Sequence, residues 1–267
     1  MVRRCFFPAV MLLFGLAICA GAAEVKTGTI TGTMMMARGG AMANGVVVFF
    51  NAAAGPPPAH GKYWRVPEGM VNTDAAGNFK AVLPEGTYYL TAIKRAAGRT
   101  MGPPQEGDFY LPSRNREGQP REYVVRPGEV TAIGSVAEVV PFQPATNRNP
   151  AGLTAVEGTV TDGEGKPAAG VLVFAFASPA MVGTPLFASD KTGADGRYVL
   201  RVDRDGTFYL KIRESYGGGI PKAGELLGSY SDKDKPLPVT VKSGTALRGI
   251  DIQGHRYTGR GIGLHLQ

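Results

Sequence analysis

The stretch that decides the fold occurs twice in the chain. Residues 72–92 read N-T-D-A-A-G-N-F-K-A-V-L-P-E-G-T-Y-Y-L-T-A, and residues 191–212 read K-T-G-A-D-G-R-Y-V-L-R-V-D-R-D-G-T-F-Y-L-K-I. A pattern that returns at a long period indicates one structural unit used twice. The corresponding positions, first copy then second copy, are Thr73 and Thr192, Gly77 and Gly196, Phe79 and Tyr198, Gly86 and Gly206, Tyr88 and Phe208, and Leu90 and Leu210.

Each repeated position has a structural interpretation. Gly77 and Gly196 stand just before an apolar run, where a turn with positive φ favours glycine. Asp74 and Asp195 can hydrogen-bond to their own backbone and close that turn. Period-two alternation then points the following aromatic rings into a core. The repeat therefore predicts architecture rather than catalysis.

Short apolar runs separated by turn residues surround both copies. The chain has 38 glycines and 20 prolines, and residues 45–50 and 170–177 are continuous apolar runs. Strands at this spacing are typical of a sandwich or barrel, and we find no helical periodicity beyond the N-terminal segment. We therefore predict an all-β fold made of two tandem β-sandwiches.

Three segments resemble the regulatory-like domain of metallocarboxypeptidases. They are T-D-A-A-G-N-F-K-A-V-L-P-E-G-T-Y at 73–88, G-T-V-T-D-G-E-G-K-P-A-A-G-V-L-V at 158–173 and T-G-A-D-G-R-Y-V-L-R-V at 192–202. That domain is a transthyretin-like, Ig-like β-sandwich, also grouped with carbohydrate-binding-like folds. The resemblance implies two copies over most of the chain, although residues 34–40 lack the usual Asp-Gly turn. It implies little about function, because this fold carries many unrelated activities.

The N-terminus has the layout of a secretory signal peptide. Two arginines precede an apolar stretch at 6–18, and small residues follow at 20–23. We expect residues 1–23 to be removed and the mature chain, without a transmembrane segment, to reach the periplasm or the cell exterior. A lipid anchor at Cys19 is a disfavoured alternative, because Ile18 stands where a lipoprotein signal needs a small residue.

The predicted domain organisation follows from the signal, the repeat and a proline-rich interval. We expect a signal peptide at 1–23, a first sandwich at 24–140, a linker at 141–152, a second sandwich at 153–254 and a flexible tail at 255–267.

Charge and residue types argue against several classes of function. The formal net charge is +7, without a run of Lys or Arg that would follow a phosphate backbone, so we expect no nucleic-acid binding. Both cysteines, Cys5 and Cys19, lie in the predicted signal. The three histidines, His60, His255 and His265, lack zinc-site spacing, and no nucleophile motif is present. We expect no catalytic residues, no metal site and no cofactor.

Two loops extend the repeat. Pro104–Tyr110 and Pro221–Leu227 both read Pro-x-x-Gly-acid-apolar-apolar, at an offset of 221 − 104 = 117. Structured loops on a rigid sandwich often carry binding residues. The alternative is a lid that covers the open end of each sandwich, and the sequence leaves both open. The candidate binding residues here are Asp108, Phe109, Tyr110, Glu225 and Leu226.

An excursion at residues 52–71 occurs in the first copy only. It holds the single tryptophan of the chain within Tyr63-Trp64-Arg65. Aromatic faces stack on sugar rings, and Trp, Tyr and Arg anchor many protein interfaces. The alternative is a tryptophan folded back onto the sandwich. We add Tyr63, Trp64 and Arg65 to the candidate binding surface.

These observations lead to three hypotheses about function. The first is a non-catalytic exported protein that binds or scaffolds at the bacterial envelope. The second is carbohydrate binding through Tyr63, Trp64 and the repeated loops. The third is an accessory subunit of an envelope secretion, adhesion or electron-transfer complex. The partner, a protein or a glycan, is not identified by the sequence.

Overall fold

The structure is a computed structural model that describes residues 25–96, 101–144, 152–216 and 219–259. The predicted signal peptide, most of the predicted linker and the end of the predicted tail lie outside the described residues. We refer to residues 25–144 as the N-terminal unit and to residues 152–259 as the C-terminal unit.

The described residues form β-strands, turns and one short 3-10 helix, Ala52–Ala54. The strands of the N-terminal unit are β1 Thr27–Met36, β2 Val46–Asn51, β3 Trp64–Arg65, β4 Gly69–Asn72, β5 Asn78–Pro84, β6 Gly86–Lys94, β7 Phe109–Leu111, β8 Glu122–Val125 and β9 Val130–Pro141. Those of the C-terminal unit are β10 Thr154–Thr161, β11 Leu172–Phe176, β12 Phe187–Ala188, β13 Arg197–Val202, β14 Gly206–Arg213, β15 Leu226–Ser229, β16 Ser231–Asp232, β17 Lys235–Pro236, β18 Val239–Val241, β19 Ala246–Leu247, β20 Ile252–Gln253 and β21 His255–Arg256.

The N-terminal unit is an eight-stranded sheet folded over on itself. Its strand order is β4-β2-β6-β7-β9-β1-β5, and β8 pairs with β6. The long strand β9 joins the two layers, because it pairs in parallel with β1 and antiparallel with β7. β5 lies in one layer and faces the other, and its side chains alternate strictly between exposed and buried. This alternation places Phe79, Ala81 and Leu83 in the core between the layers.

The C-terminal unit repeats this plan with shorter strands. β10 pairs antiparallel with β13 and in parallel with β19 and β20, as β1 does with β5 and β9. β14 lies between β11 and β15 and also pairs with β18, as β6 does with β2, β7 and β8. The all-β fold class with several sheets is therefore confirmed.

Each unit has its own hydrophobic core, and the repeated aromatic residues lie at its centre. Phe79 and Tyr88 are 5% and 1% exposed, and Tyr198 and Phe208 are 3% and 4% exposed. Burial of side chains of this size supplies most of the driving force for folding. The inward direction predicted for these four rings is confirmed.

The repeated turns have the predicted geometry. Gly77 has φ +82° and Gly196 has φ +71°, and a Cβ at either position would lie within 2.5 Å of a backbone oxygen of the neighbouring strand, β1 or β10. The Asp74 carboxylate accepts hydrogen bonds from the amides of Ala76 and Asn78 at 2.9 and 2.8 Å. Positive φ and close approach together require glycine at both turns.

The repeated threonine holds this turn against the apolar strand. Thr192 Oγ1 accepts from the Val171 amide at 2.9 Å and donates to the Ala168 carbonyl at 2.7 Å. Thr73 Oγ1 bonds in the same way to the Gly45 amide and the Met42 carbonyl. Both hydroxyls are buried and satisfied, which explains why threonine recurs here.

The start of the predicted flexible tail belongs to a sheet. β21 pairs antiparallel with β15, with His255 opposite Leu227 and Arg256 opposite Leu226. Arg256 also reaches the Glu214 carboxylate at 2.6 Å. The structure differs from the prediction here because the edge of β15 supplies backbone partners that local composition does not show.

Candidate functional site

Residues 52–68 form an arm that leaves the N-terminal unit after β2 and docks on the C-terminal unit. β3 of the arm pairs antiparallel with β12, with Trp64 opposite Ala188 and Arg65 opposite Phe187. The next amide, of Val66, donates to the Leu186 carbonyl at 3.3 Å. β3 is thus the outer strand of a sheet that belongs to the other unit, and it covers an edge that would otherwise be open.

Apolar side chains of the arm enter the C-terminal unit on both faces of this sheet. Val66 is 3% exposed, and it packs in a cluster with residues of β11 and β12, including Leu172 and Phe174. Tyr63 lies against the main core, with its ring edge-on to Phe187 at 6.1 Å. Strand pairing and side-chain burial therefore act together to fasten the arm.

Arg65 holds the arm in shape. Its guanidinium donates to the carbonyls of Gly55 and Asn51 at 2.8 and 2.9 Å and to the Glu68 carboxylate at 3.1 Å. The side chain is 3% exposed and lies 5.6 Å from the centre of the Phe50 ring. Burial lowers the pKa of Arg65 while Glu68 opposes the shift, and arginine keeps its charge under such conditions. Arg65 is therefore a buried clamp.

Trp64 sits in an aromatic cluster at the boundary. Its ring is edge-on to Tyr110 at 6.2 Å and tilted against Phe142 at 6.3 Å, and His60 lies 5.9 Å away. His60 in turn contacts the edge of Phe142 at 4.7 Å. Trp64 is half-buried, so part of its ring still faces solvent. These contacts give the indole a defined orientation.

The loop after β6 is closed by a buried ion pair. Asp108 accepts from the amides of Ala96 and Gln105, both at 2.9 Å, and from the Arg95 guanidinium at 2.8 Å. Arg95 also donates to the carbonyls of Gly102 and Pro103. Burial raises the pKa of Asp108, but the amides and Arg95 outweigh burial and lower it overall. The carboxylate is therefore ionised and holds the loop together.

The C-terminal unit contains the same closure. Glu225 accepts from Arg213 through two hydrogen bonds of 2.9 Å and from the amides of Ser215 and Lys222. Burial raises the pKa of Glu225, and Arg213 with the two amides lowers it overall. The acidic residue of the shared loop motif is thus an internal acceptor in both units.

The structure buries most of the candidate residues of these loops. Asp108, Tyr110, Glu225 and Leu226 are at most 5% exposed, and Phe109 is half-buried. Burial raises the pKa of the Tyr110 hydroxyl to about 12. Both loops lead into paired strands, β7 and β15. The binding role of these residues stays a prediction.

A cleft of about 350 Å³ opens at the boundary between the units. It brings Tyr63 and Trp64 of the arm together with Gln105 and Glu106 of the first shared loop. The C-terminal unit closes the other side. The full lining is His60, Gly61, Lys62, Tyr63, Trp64, Pro104, Gln105, Glu106, Phe142, Pro144, Asp190, Lys191 and Arg201.

The charged groups of the cleft come mostly from residues that the sequence did not single out. Arg201 lies 3.4 Å from the Asp190 carboxylate, and Lys191 is adjacent. Burial lowers the pKa of His60 while Asp190 opposes the shift, so His60 is neutral at pH 7. Arg201 corresponds in the repeat to the exposed Val82 on β5 (201 − 82 = 198 − 79 = 119), so its position suggested solvent and no sequence signal pointed to the cleft.

Two further findings concern metals and membranes. Within the described residues, no three His, Cys, Asp or Glu side chains are grouped so that they could hold a metal ion. In the same part of the chain, no helix has the length and apolar character needed to cross a membrane.

No known protein family and no curated protein matches the chain. Among solved structures, a streptococcal ancillary pilin is 12% identical over 89% of this chain, with a TM-score of 0.26; the chain spans 64% of that protein's length. GBS52, the minor pilin of Streptococcus agalactiae, is 11% identical over 88% of this chain and 98% of its own, with a TM-score of 0.26. The shaft pilin SpaA from Lactobacillus rhamnosus GG is 10% identical over 88% of this chain and 99% of its own, with a TM-score of 0.24.

Proposed function

We propose that this chain is a non-catalytic binding and scaffolding protein of the bacterial envelope, in which the arm holds two β-sandwich units as one rigid body. The observation that carries the proposal is the pairing of β3 with β12 across the boundary. Neighbouring domains of one chain move relative to each other by default unless a large contact holds them. A shared sheet is such a contact, and it gives a scaffold a fixed geometry.

Further bonds across the boundary support this proposal. The Arg204 guanidinium donates to the Ala54 carbonyl at 3.3 Å, and the Tyr216 hydroxyl donates to the Arg65 carbonyl at 3.4 Å. The arm is also tied to its own unit, since Ser113 donates to the Pro58 carbonyl at 2.8 Å. The arm thus has anchors on both sides, as a rigid connection requires.

Several buried charged side chains serve the architecture. Arg65 closes the arm, and the pairs Arg95–Asp108 and Arg213–Glu225 close the two shared loops. Breaking a buried pair leaves an uncompensated charge and is strongly destabilising. Such a use of buried charge favours a protein whose shape is its function, for example an accessory subunit of an envelope assembly.

Cell fractionation and cross-linking test the scaffolding proposal. We expect the chain in the envelope or outside the cell, cross-linked there to a defined partner. Arg65→Ala should reduce the cross-linked species, because it loosens the arm, while Arg38→Ala, at an exposed position, should leave their yield unchanged. Retention in the cytoplasm would contradict the proposal. The proposal would also be contradicted if the purified chain turned over a peptide or an ester and a point mutation abolished this activity.

A second candidate function is carbohydrate binding in the boundary cleft. The observation that favours it is that Tyr63, Trp64 and residues 104–106 line one cleft, although they lie far apart in sequence. Aromatic rings with a few convergent polar groups are typical of small-molecule sites. Glycan binding by the purified chain, lost on Trp64→Leu, tests this function.

A further inference from the structure

We propose that the outer edge of β4 is a docking site for an extended, apolar segment of a partner protein, which adds to the sheet as an antiparallel strand. This inference rests on the scaffolding function proposed above, to which it adds the binding surface and the kind of partner.

β4 and β12 occupy the same place in the two units. In the pairing of β2 with β6 and of β11 with β14, Val48 and Phe174 lie opposite the residues that follow the repeated leucines. On their other side, Val48 pairs with Met70 of β4, and Phe174 pairs with Ala188 of β12. Met70 therefore corresponds to Ala188, and each lies on the outermost strand that its own unit supplies to that side of the sheet.

The arm covers this edge in the C-terminal unit only. Trp64 of β3 lies opposite Ala188, whose side chain is 1% exposed. Met70, at the corresponding position, is 48% exposed, and no strand within residues 25–96, 101–144, 152–216 and 219–259 pairs with the outer edge of β4. The equivalent edge thus shows which kind of partner fits: a short, extended segment that comes from outside the unit.

The backbone groups at the edge of β4 are directed outward to receive such a strand. The Thr73 amide donates to the Gly45 carbonyl at 2.9 Å, which continues the pairing of β4 with β2. Neighbouring residues of an antiparallel strand direct their backbone groups to opposite sides. The N–H and C=O groups of Met70 and Asn72 therefore point away from β2, where a partner strand can hydrogen-bond to them.

β5, at the opposite end of the strand order, is protected against such pairing. By the same alternation, the backbones of Lys80 and Pro84 face away from its partner β1. A lysine and a proline oppose pairing at an edge, because the charge resists burial and proline has no amide hydrogen. The outward residues of β4, Met70 and Asn72, are uncharged. Because methionine is an adaptable apolar side chain, this edge favours an apolar segment.

The edge is continuous with the boundary that the arm already forms. Met70, Pro67 of the arm and Tyr216 of the C-terminal unit line one apolar recess. In an antiparallel pair, the side chains of residues directly opposite each other lie on the same face. An apolar side chain opposite Met70 therefore extends this recess, and the partner is bound beside the contact that fixes the two units.

Nuclear magnetic resonance titration of the isotope-labelled, purified chain tests the inference with the peptide acetyl-Thr-Tyr-Thr-Val-Thr-amide as the probe. We expect the amide signals of Met70 and Asn72 to shift on binding. A tyrosine or valine opposite Met70 directs its own amide toward β4. N-methylation of these two peptide residues should therefore weaken binding at least about tenfold, whereas N-methylation of the first two threonines should change it less than about twofold.

Two matched variants test whether β4 is the edge that binds. Met70→Lys places a charge at the edge and should weaken the unmodified peptide about tenfold. The control is Val82→Lys, since Val82 is 62% exposed on β5, which is also an outer strand. It should change the affinity less than about twofold. Circular dichroism of both variants checks that the fold is unchanged.

The outcomes separate this inference from the function on which it rests. Equal effects of the two methylation patterns overturn strand addition. An unchanged affinity in Met70→Lys, or an equal loss in Val82→Lys, overturns β4 as the site. Shifts of the same amides with rising protein concentration and no peptide would show that a second copy binds there, and overturn the proposed partner.

Absence of peptide binding overturns the inference and leaves the scaffolding function in place, because fractionation and cross-linking test that function separately. Retention of the chain in the cytoplasm has the opposite consequence. It overturns the envelope scaffold, while the titration still decides whether β4 accepts a strand.

Discussion

Val66 tests whether the arm fastens the two units, because it belongs to the first half of the sequence and its side chain is buried against the C-terminal unit. It is 3% exposed among Leu172, Phe174 and their neighbours on the sheet of the C-terminal unit. Val66→Ala removes two buried methyl groups, each worth about 0.8 kcal/mol, and leaves a small cavity. We therefore expect the free energy of unfolding to fall by about 2–3 kcal/mol.

Urea unfolding with two probes measures this loss. The fluorescence of Trp64, the single tryptophan, reports the boundary, and far-ultraviolet circular dichroism reports all strands. The two transitions of the wild type should coincide, since one shared sheet couples the units. Val66→Ala should shift both transitions together. The control Val182→Ala, at a side chain 79% exposed, should cost less than about 0.5 kcal/mol. If Val66→Ala lowered the free energy of unfolding no more than Val182→Ala does, the arm would not contribute to the C-terminal unit as described. Two separate transitions in the wild type would contradict the coupling of the units.

Two other predictions concern the repeat. Glu225→Gln removes the carboxylate that pairs with Arg213 and should cost about 3–5 kcal/mol at pH 7. Because the pKa of Glu225 is lowered in the fold, its contribution is complete above the unfolded value of about 4.3 and is lost as the pH falls through the folded value. The difference in unfolding free energy between variant and wild type should therefore narrow between about pH 5 and pH 3, by at most about 1.4 kcal/mol per pH unit. A constant gap across this pH range would contradict the ionised closure. Gly196→Ala places a Cβ 2.5 Å from the Val160 carbonyl oxygen at φ +71° and should cost at least about 2 kcal/mol in thermal unfolding. Gly163→Ala places a Cβ at an ordinary contact distance of 3.8 Å from the Gly254 carbonyl oxygen and should cost less than about 1 kcal/mol. Equal effects of the two substitutions would show that the turn is not constrained.

The repeated turns and cores could be predicted from sequence because local rules determine them. Gly77 and Gly196 take a positive φ, and the aromatic residues that follow point inward by alternation. The repeat also showed that the two shared loops belong to the fold. The role of the acidic residue in each loop could not be predicted. Its arginine partner, Arg95 or Arg213, lies 13 or 12 residues earlier in the chain, and no short motif links the two.

The boundary could not be predicted, because it depends on contacts distant in sequence. β3 has two residues and is too short for any periodic pattern, and its partner β12 lies more than a hundred residues away. Arg201 occupies an outward position on β13, where a polar residue suggests solvent rather than a cleft. Contacts between units follow from tertiary packing, which local propensity does not describe.

Hydrogen exchange at the Val66 amide tests the central claim most directly. This amide donates to the Leu186 carbonyl across the boundary, at 3.3 Å. If the arm is a strand of the C-terminal sheet, the amide should exchange only on global unfolding, at a rate close to that of the Val173 amide in β11. Exchange at the rate of an unstructured peptide, with Val173 still protected, would show that the arm does not join the two units.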